Sequence, residues 1–415
     1  MQRWLKMTKY MRDYDWQPVV VTPQNPQYGI QDTSLQKHVN NEIEVIRLPI
    51  WEPYQLFRWL NGSKPHSGAA NMGLNVGKQT KRNWKDKLIS LVRSLFFVPD
   101  PRIYWVRPTV SYLKKYLEQH PVDAVITTGP PHSTHLIGLQ LKRAFGICWV
   151  ADFRDAWSQL DYLQDYNYSK SALRKIALQE SEVVREADKV LMVTKSMAAW
   201  HAELFGRQVE FLPNGYDPDD LRSAVQIDTD KFIISHFGLL SHNRNPEVLW
   251  RALESACKQS DDFSDRLEVR LGGVIDPYVM ERINQYELLS KRVKYYPYID
   301  HGEVISRSSE SAILLLCLNN SHLGRYFMTA KLYEYIALRR PVLCIGSTQS
   351  DAADLIDQTH SGQTFEDDLS QHDLIKEWLL QQYLAHPQYL PEEEGMIRDY
   401  QRKELTGKMV SILEA

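Results

Sequence analysis

The residues best placed to do chemistry lie in Thr329 to Gly346, TAKLYEYIALRRPVLCIG. The stretch predicts a short helix running into a buried strand. Thr329 suits an N-cap, its hydroxyl accepting from an amide of the first turn. Leu332, Tyr333, Ile336 and Ala337 recur at helical spacing and face a core. Arg339 and Arg340 suit the negative end of the helix dipole, and Pro341 stops the helix. Lys331 and Glu334, three residues apart, leave one side of the helix together. A helix N-terminus flanked by a cation and a carboxylate, at the end of a parallel strand, can hold a nucleotide. The amides and Lys take phosphate, and the carboxylate takes ribose hydroxyls. The same residues equally fit an amphipathic helix with a surface Lys–Glu pair.

Three more constellations stand at predicted strand ends. His236-Phe237-Gly238 precedes Arg244 and Asn245-Pro246. Gly238 allows close backbone approach and Arg244 can pair with a diphosphate, although a glycine turn with a solvated arginine reads the same. Gly272-Gly273 ends the next strand in like manner. Gly129-Pro130-Pro131-His132-Ser133 follows one strand, and Ala151-Asp152-Phe153-Arg154-Asp155 closes another. His132, Asp152 and Asp155 are the candidate catalytic groups, for substrate hydroxyls or for developing positive charge, with Arg154 beside them. Against this, Arg154 and Asp155 fit an ion pair that shapes a loop, and His132 and His135 fit helix-start residues with no role. HExxH, GxSxG, P-loop and GxGxxG patterns are absent, so zincin, serine-hydrolase, P-loop and dinucleotide-binding readings lack their signatures.

The elements that must position these groups alternate along the chain. A helix over 2–14, with Trp4, Leu5, Thr8 and Met11 inward, precedes strands over 16–23 and 42–50. From residue 108 helices and strands alternate regularly: helix RPTVSYLKKYLEQH, strand DAVITTG, loop and helix from Pro130, strand ICWVADF, helix 171–187, strand DKVLMVT, helix KSMAAWHAELFG, strand VEFLPNG. The turn Asn214-Gly215-Tyr216-Asp217-Pro218 and the polar segment 219–230 mark a boundary. Strands FIISHFGLL, LEVRLGGV, VKYYPYI, SAILLLCL and PVLCIG follow, separated by helices opening at Asn245-Pro246, Asp276-Pro277, Asp300 and Thr329. Alternation of this kind predicts an α/β protein of two doubly wound, Rossmann-like domains facing a cleft. The domains are 1–218, with an insertion at 51–100, and 219–390, followed by a helix at 391–415 that crosses back to the first.

Bulk properties narrow the class. At 415 residues the chain exceeds one ordinary core, and 43% hydrophobic with 24% charged residues describes a globular protein. The net charge of -3 offers nothing to nucleic acid. Cys148, Cys257, Cys317 and Cys344 form no CxxC pair, which argues for a reducing compartment and against a disulfide framework or zinc. The charged start MQRWLKMTKYMRDYDW has no signal-peptide core, and runs such as Ala312 to Leu318 are too short to span a bilayer. A cytoplasmic protein is expected. Lys81, Arg82, Lys85 and Lys87 precede Leu88, Ile89, Leu91, Val92, Leu95, Phe96 and Phe97, so 81–98 reads either as a helical hairpin docked on its own domain or as a peripheral contact with anionic lipid at the inner face of the membrane.

TTGPPHSTHLIG, WVADFRDAWS, FLPNGYD, the Gly238–Arg244–Asn245–Pro246 segment, LGGV and TAKLYEYIALRRPVL follow one another as in the family-4 glycosyltransferases of the GT-B class, and the chain resembles their polysaccharide-building bacterial branch. The resemblance covers nearly the whole chain. It implies transfer of a sugar from a nucleotide-sugar to an acceptor hydroxyl with retention of configuration, with no metal and no other cofactor. It implies that Glu334 binds the donor ribose, that Lys331, Arg244 and the amides near Thr329 bind the diphosphate, and that His132 and Asp152–Asp155 hold acceptor and sugar. Three departures stand out. Tyr326 occupies the first position of the family's pair of glutamates, with Glu334 the second. Leu239 follows Gly238 where the family often has arginine. The strand and Gly-rich loop that normally precede the first helix have no counterpart before Met1.

The leading expectation is therefore a retaining glycosyltransferase of cell-surface polysaccharide biosynthesis, acting on a saccharide or lipid-linked acceptor. The alternatives are a nucleotide-binding partner protein that does not turn over, and a nucleotide-sugar epimerase of the same architecture.

Overall fold

The computed structural model describes residues 2–26, 39, 42–52, 91, 94–159, 168–297, 299–319, 321, 323–326, 328–387 and 397–415. The chain divides into two compact units. Unit 1 holds the described residues up to Pro213 together with 406–415, and unit 2 those from Asn214 to Leu405. Most of the 51–100 segment lies outside the described residues.

Unit 1 runs α1 (Gln2–Met11), β1 (Val19–Pro23), β2 (Glu44–Leu48), α2 (Ile103–Gln119), β3 (Ala124–Gly129), α3 (Ser133–Phe145), β4 (Cys148–Phe153), α4 (Lys170–Glu186), β5 (Lys189–Met192), α5 (Lys195–Phe205) and β6 (Glu210–Phe211). Strands β3-β4-β5-β6 form one parallel sheet in that order, and β1-β2 form a separate parallel pair. From Trp149 to Phe153, β4 is buried on both faces, as a central parallel strand must be.

Two details depart from the sequence reading. Helix α2 begins five residues before Pro108, because Trp105 and Val106 belong to the same buried stripe as Thr109, Val110 and Leu113. Burying two more apolar residues outweighs the one backbone bond that an interior proline removes. Helix α1 buries Thr8 and Met11 as expected and adds Arg3, Lys6 and Met7, while Trp4 and Leu5 stay part-exposed. A charge at Arg3 rotates the helix relative to its apolar pattern, for a reason found at the end of β4.

Unit 2 runs β7 (Phe232–Phe237), α6 (Glu247–Gln259), α7 (Asp261–Arg266), β8 (Leu267–Gly272), α8 (Pro277–Ile283), β9 (Val293–Tyr296), α9 (His301–Ser309), β10 (Ile313–Cys317), α10 (Ala330–Ala337), β11 (Val342–Ile345), α11 (Asp351–Gln358), β12 (Gly362–Phe365) and α12 (His372–Ala385). A last helix, α13 (Arg402–Glu414), is divided between the units after Leu405. The six strands are parallel, in the order β12-β11-β10-β7-β8-β9. The period of two sorts β10 between two cores. Ile313, Leu315 and Cys317 join the layer of α6, α8 and α12, while Leu314 and Leu316 join that of α10 and α11. Strand β12, GQTF, escaped the sequence reading because it is short, half polar and at the sheet edge.

Asp276, Asp300 and Thr329 cap their helices through side-chain oxygens that accept from Tyr278, Glu303 and Lys331 amides. Asn245 does not. Its oxygen accepts instead from Trp250 Nε1 at 2.8 Å, and Pro246 takes the cap position. The indole of a core tryptophan needs a partner when buried, and Asn245 is within its reach.

Candidate functional site

The sheet of unit 2 reverses its winding between β7 and β10, which pair through Ile234–Ile313 and Ser235–Leu314. In open parallel sheets ligands bind beyond the strand ends at such a switch point. His236 spans it, its Nδ1 3.0 Å from Leu315 O. Burial, with Lys331 nearby, lowers the His236 pKa to about 3, so the ring is neutral.

At the end of β7 the backbone turns through Gly238 with φ +146°. A Cβ there would stand 1.7 Å from Lys331 Nζ, and one on Gly273 would stand 2.7 Å from Gly238 O. Both positions must therefore be glycine for the Lys331 ammonium to lie directly on the backbone. The close approach expected of Gly238 is made by the chain's own lysine.

Lys331 is carried there by α10. Thr329 starts that helix, its hydroxyl accepting from Lys331 N at 3.3 Å. Leu332, Tyr333, Tyr335 and Ile336 seal it against the sheet. Arg340, buried, donates to Ser309 O and Leu338 O, so it meets the carbonyl ends of both α9 and α10. The helix is thus held at both ends.

The charges around Lys331 do not balance. Burial first, and then the Arg244 guanidinium, lower the Lys331 pKa to about 8, against a smaller pull from Glu334. Burial likewise lowers Arg244. Among the described residues, no carboxylate lies within 4 Å of either cation. Two partly buried cations that repel each other, with no carboxylate at ion-pair distance, are stabilised by any anion brought beside them. Glu334, one turn along α10, is mostly buried. Burial raises its pKa, Asp220 adds to the rise, and His301, Lys331 and Arg402 oppose it. The expected donor group of Gly238, Arg244, Thr329, Lys331 and Glu334 thus gathers within unit 2.

In unit 1, α3 starts beyond His132, and its first turn is capped by Asp100, which accepts from Ser133 N and Oγ at 2.8 Å each. The His132 ring stacks on Trp157, centroids 5.0 Å apart, and the His135 ring on Phe153 at 4.4 Å. His135 Nδ1 lies 2.9 Å from Thr127 Oγ1. Burial holds both imidazoles neutral, with His135 and Arg154 also acting on His132. Arg154 donates to Pro130 O, which ties the segment after β4 to the segment after β3. Asp155 is raised by burial to about 6, with Arg154 opposing.

Asp152, the third candidate catalytic group, has its carboxylate engaged within unit 1. Its carboxylate, fully buried, accepts from Arg3 Nε and Nη2 at 3.2 and 3.1 Å, from Trp4 Nε1 at 2.7 Å and from Thr128 Oγ1 at 2.8 Å. Arg3 also donates to Leu212 O and Pro213 O. Asp152 is the anchor of α1, and this ion pair turns Arg3 inward. Next along the chain, Ser158 donates through N and Oγ to Glu180, fully buried, whose other oxygen stands 3.6 Å from His201 Nε2. Neither Arg3 nor Glu180 carried a signal in the sequence, since partners at separations of 149 and 22 residues meet only in the fold.

A family model described as "Glycosyl transferase 4-like domain" matches residues 2–215, over half of the chain. The chain belongs to the glycosyl transferase 4-like family. Curated protein sequences return no match. Among solved structures, the sucrose-phosphate synthase of Thermosynechococcus elongatus is 15% identical, with a TM-score of 0.60 over 99% of this chain and 91% of that one. An alpha,alpha-trehalose-phosphate synthase (UDP-forming) of Burkholderia vietnamiensis is 12% identical, with a TM-score of 0.56 over 90% and 86%. WaaG, a glycosyltransferase involved in lipopolysaccharide biosynthesis, is 13% identical, with a TM-score of 0.54 over 99% and 95%. These likenesses establish the GT-B fold.

Two departures from the family pattern have a visible environment. Tyr326 has the Arg325 guanidinium over its ring at 4.7 Å and bonded to its hydroxyl. Leu239 projects into solvent, 42% exposed. It stands where the resemblance to family-4 glycosyltransferases led one to expect arginine. Lys331 and Arg244 are then the cations of this strand end. Among the described residues no group of three His, Cys, Asp or Glu side chains is placed to hold a metal, and no helix is long and apolar enough to cross a membrane.

Proposed function

We propose that the chain is a retaining glycosyltransferase that moves a sugar from a nucleoside diphosphate sugar to a hydroxyl of a saccharide or lipid-linked acceptor in cell-surface polysaccharide assembly. The observation that carries this reading is the pair of uncompensated cations, Lys331 and Arg244, at the switch point of unit 2. A diphosphate is the leaving group that needs them. As the bond from the anomeric carbon to diphosphate breaks, negative charge grows on the departing oxygens, and fixed cations stabilise it without reorganising. They take the diphosphate charge with no bound metal required. The first amides of α10, beside Thr329, add their dipoles. Gly238 keeps the strand end open to the ammonium. Glu334 accepts the ribose hydroxyls.

In unit 1, neutral His132 is suited to hydrogen-bond a sugar hydroxyl. Asp155, ionised above about pH 6, is suited to face positive charge at the anomeric carbon, with Arg154 on the acceptor side. Retention follows the family resemblance. A UDP-forming synthase and a lipopolysaccharide glycosyltransferase among the structures of the same fold support a nucleotide-sugar donor and a polysaccharide setting. A TarM structure in complex with UDP and alpha-GlcNAc-glycerol adds to that support. A lipid-linked acceptor fits the expected membrane contact through 81–98, most of which lies outside the described residues; Leu95 and Phe96 within it are exposed.

The test is thermal unfolding with UDP, GDP, TDP, ADP and CMP. A ligand at a hundred times its Kd adds about 2.7 kcal/mol. One diphosphate should raise Tm in the wild type and markedly less in Lys331→Ala. No shift with any of them would overturn the site. A shift without release of nucleoside diphosphate from any sugar donor would favour the non-catalytic partner protein.

A further inference from the structure

Beside Glu334, a second carboxylate and an imidazole form a group that no step above uses. His301 is the first residue of α9, placed next to Glu334 by the Asp300 cap. Its Nε2 stands 3.9 Å from Glu334 Oε1 and 3.8 Å from Asp220 Oδ2, in the turn that follows Asp217. The three side chains are only 14, 15 and 8% exposed for Glu334, His301 and Asp220. They come from three separate elements of unit 2, and Lys331 and Arg402 are the cations that also face Glu334.

Two carboxylates in one partly buried place repel, and each tends to swing toward water or take up a proton. One imidazole nitrogen nearly equidistant from both opposes that. We propose that His301, held by Asp220, is a positioning residue that fixes Glu334 in the orientation and ionised form needed to accept the ribose hydroxyls of the donor. The inference rests on the nucleotide site proposed above and assigns the ribose-recognition half of it a support that the phosphate half lacks. Lys331 reaches the diphosphate place over Gly238, independently of His301. Loss of His301 should therefore act on the ribose and spare the phosphates. A merely structural histidine would weaken both alike.

The experiment compares dissociation constants of UDP, GDP and ADP with those of their 2′,3′-dideoxy counterparts, for the tightest-binding pair. Wild type should prefer the ribonucleotide by about tenfold or more, as hydrogen bonds to a charged group allow. Glu334→Ala should abolish that preference. His301→Ala should reduce it to within about twofold while leaving the dideoxy affinity unchanged, and His301→Gln should restore part of it. Asp220→Asn should lower the preference severalfold, and it serves if His301→Ala does not fold. If Glu334→Ala loses the preference while His301→Ala and Asp220→Asn keep it, the positioning role is overturned and the nucleotide site stands. If His301→Ala weakens both nucleotides equally, the role is structural and the inference also fails. If Glu334→Ala keeps the preference, or no pair binds, the ribose assignment itself falls and takes this inference with it.

Discussion

In unit 1 the carboxylate that closes β4, Asp152, is enclosed by Arg3, Trp4 and Thr128, and Glu180 behind the same loop is bonded to Ser158 beside His201. In unit 2 the ammonium above the end of β7, Lys331, has a second cation for a neighbour and, among the described residues, no carboxylate within 4 Å. Both units carry charged side chains close to the end of one of their parallel strands. Unit 1 neutralises those charges within itself, which secures α1 and the loop through Trp157. Unit 2 leaves Lys331 and Arg244 with no carboxylate within 4 Å among the described residues, which is why the pair is proposed as a binding place. A compensated charge reports on stability and an uncompensated one on binding, so the two units should respond to mutation in opposite ways.

The largest effect should be on stability. Asp152→Ala leaves the buried Arg3 guanidinium its carbonyl partners but no carboxylate to offset its charge, a change that costs about 3–5 kcal/mol. Denaturant unfolding should show this loss, whereas Asp155→Asn should unfold no earlier than wild type because it removes a carboxylate that burial already disfavours. Full stability with lost turnover in Asp152→Ala would break the comparison and return Asp152 to the chemistry.

The next effect should be on turnover. Lys331→Ala should lower kcat by about 10²–10³-fold, the scale for removing one fixed stabiliser of a developing charge. It should not lower Tm, because the lysine has no ion partner to abandon. A marked loss of stability without loss of activity would show that Lys331 is compensated after all.

The smallest effect should appear as a pH dependence. The Lys331 pKa is lowered from 10.5 to about 8 in the folded, ligand-free protein. Between about pH 8 and 10.5 the folded chain has released a proton that the unfolded chain keeps, so this group adds stability as pH rises through that window. Diphosphate binding restores the charge and takes the proton back. Affinity should be flat between about pH 7 and 8, where the terminal phosphate is already fully ionised, and fall toward tenfold per pH unit above it, with the slope absent in Lys331→Ala. Calorimetric titration at several pH values checks this.

Much of this was legible in the chain. The switch-point strands, the Thr329 cap and the Lys331–Glu334 spacing are local patterns, with periods of two and of three to four residues, and hydrophobic burial enforces them wherever they occur. The second unit was read most cleanly because its strands are near-continuous apolar runs between capped helices. Strand β12 was not legible, since a four-residue polar edge strand has little burial to declare it. The inward turn of Arg3 was not legible in the apolar pattern of α1, because the carboxylate that accepts from Arg3 and Trp4 lies far along the chain.

What the sequence by itself determined is the supply of elements and groups: two sets of alternating strands and helices, glycines where strands end, and cations and carboxylates at those ends. Which charges cancel was decided only by tertiary structure. Coulomb interactions and desolvation depend on separations of a few ångströms between residues far apart in the chain. Asp152 and Glu334 look alike in the sequence, each an acid near a strand end. The fold places an arginine fork on the first and an imidazole shared with Asp220 beside the second. That difference makes one an anchor and the other a candidate ligand-binding group.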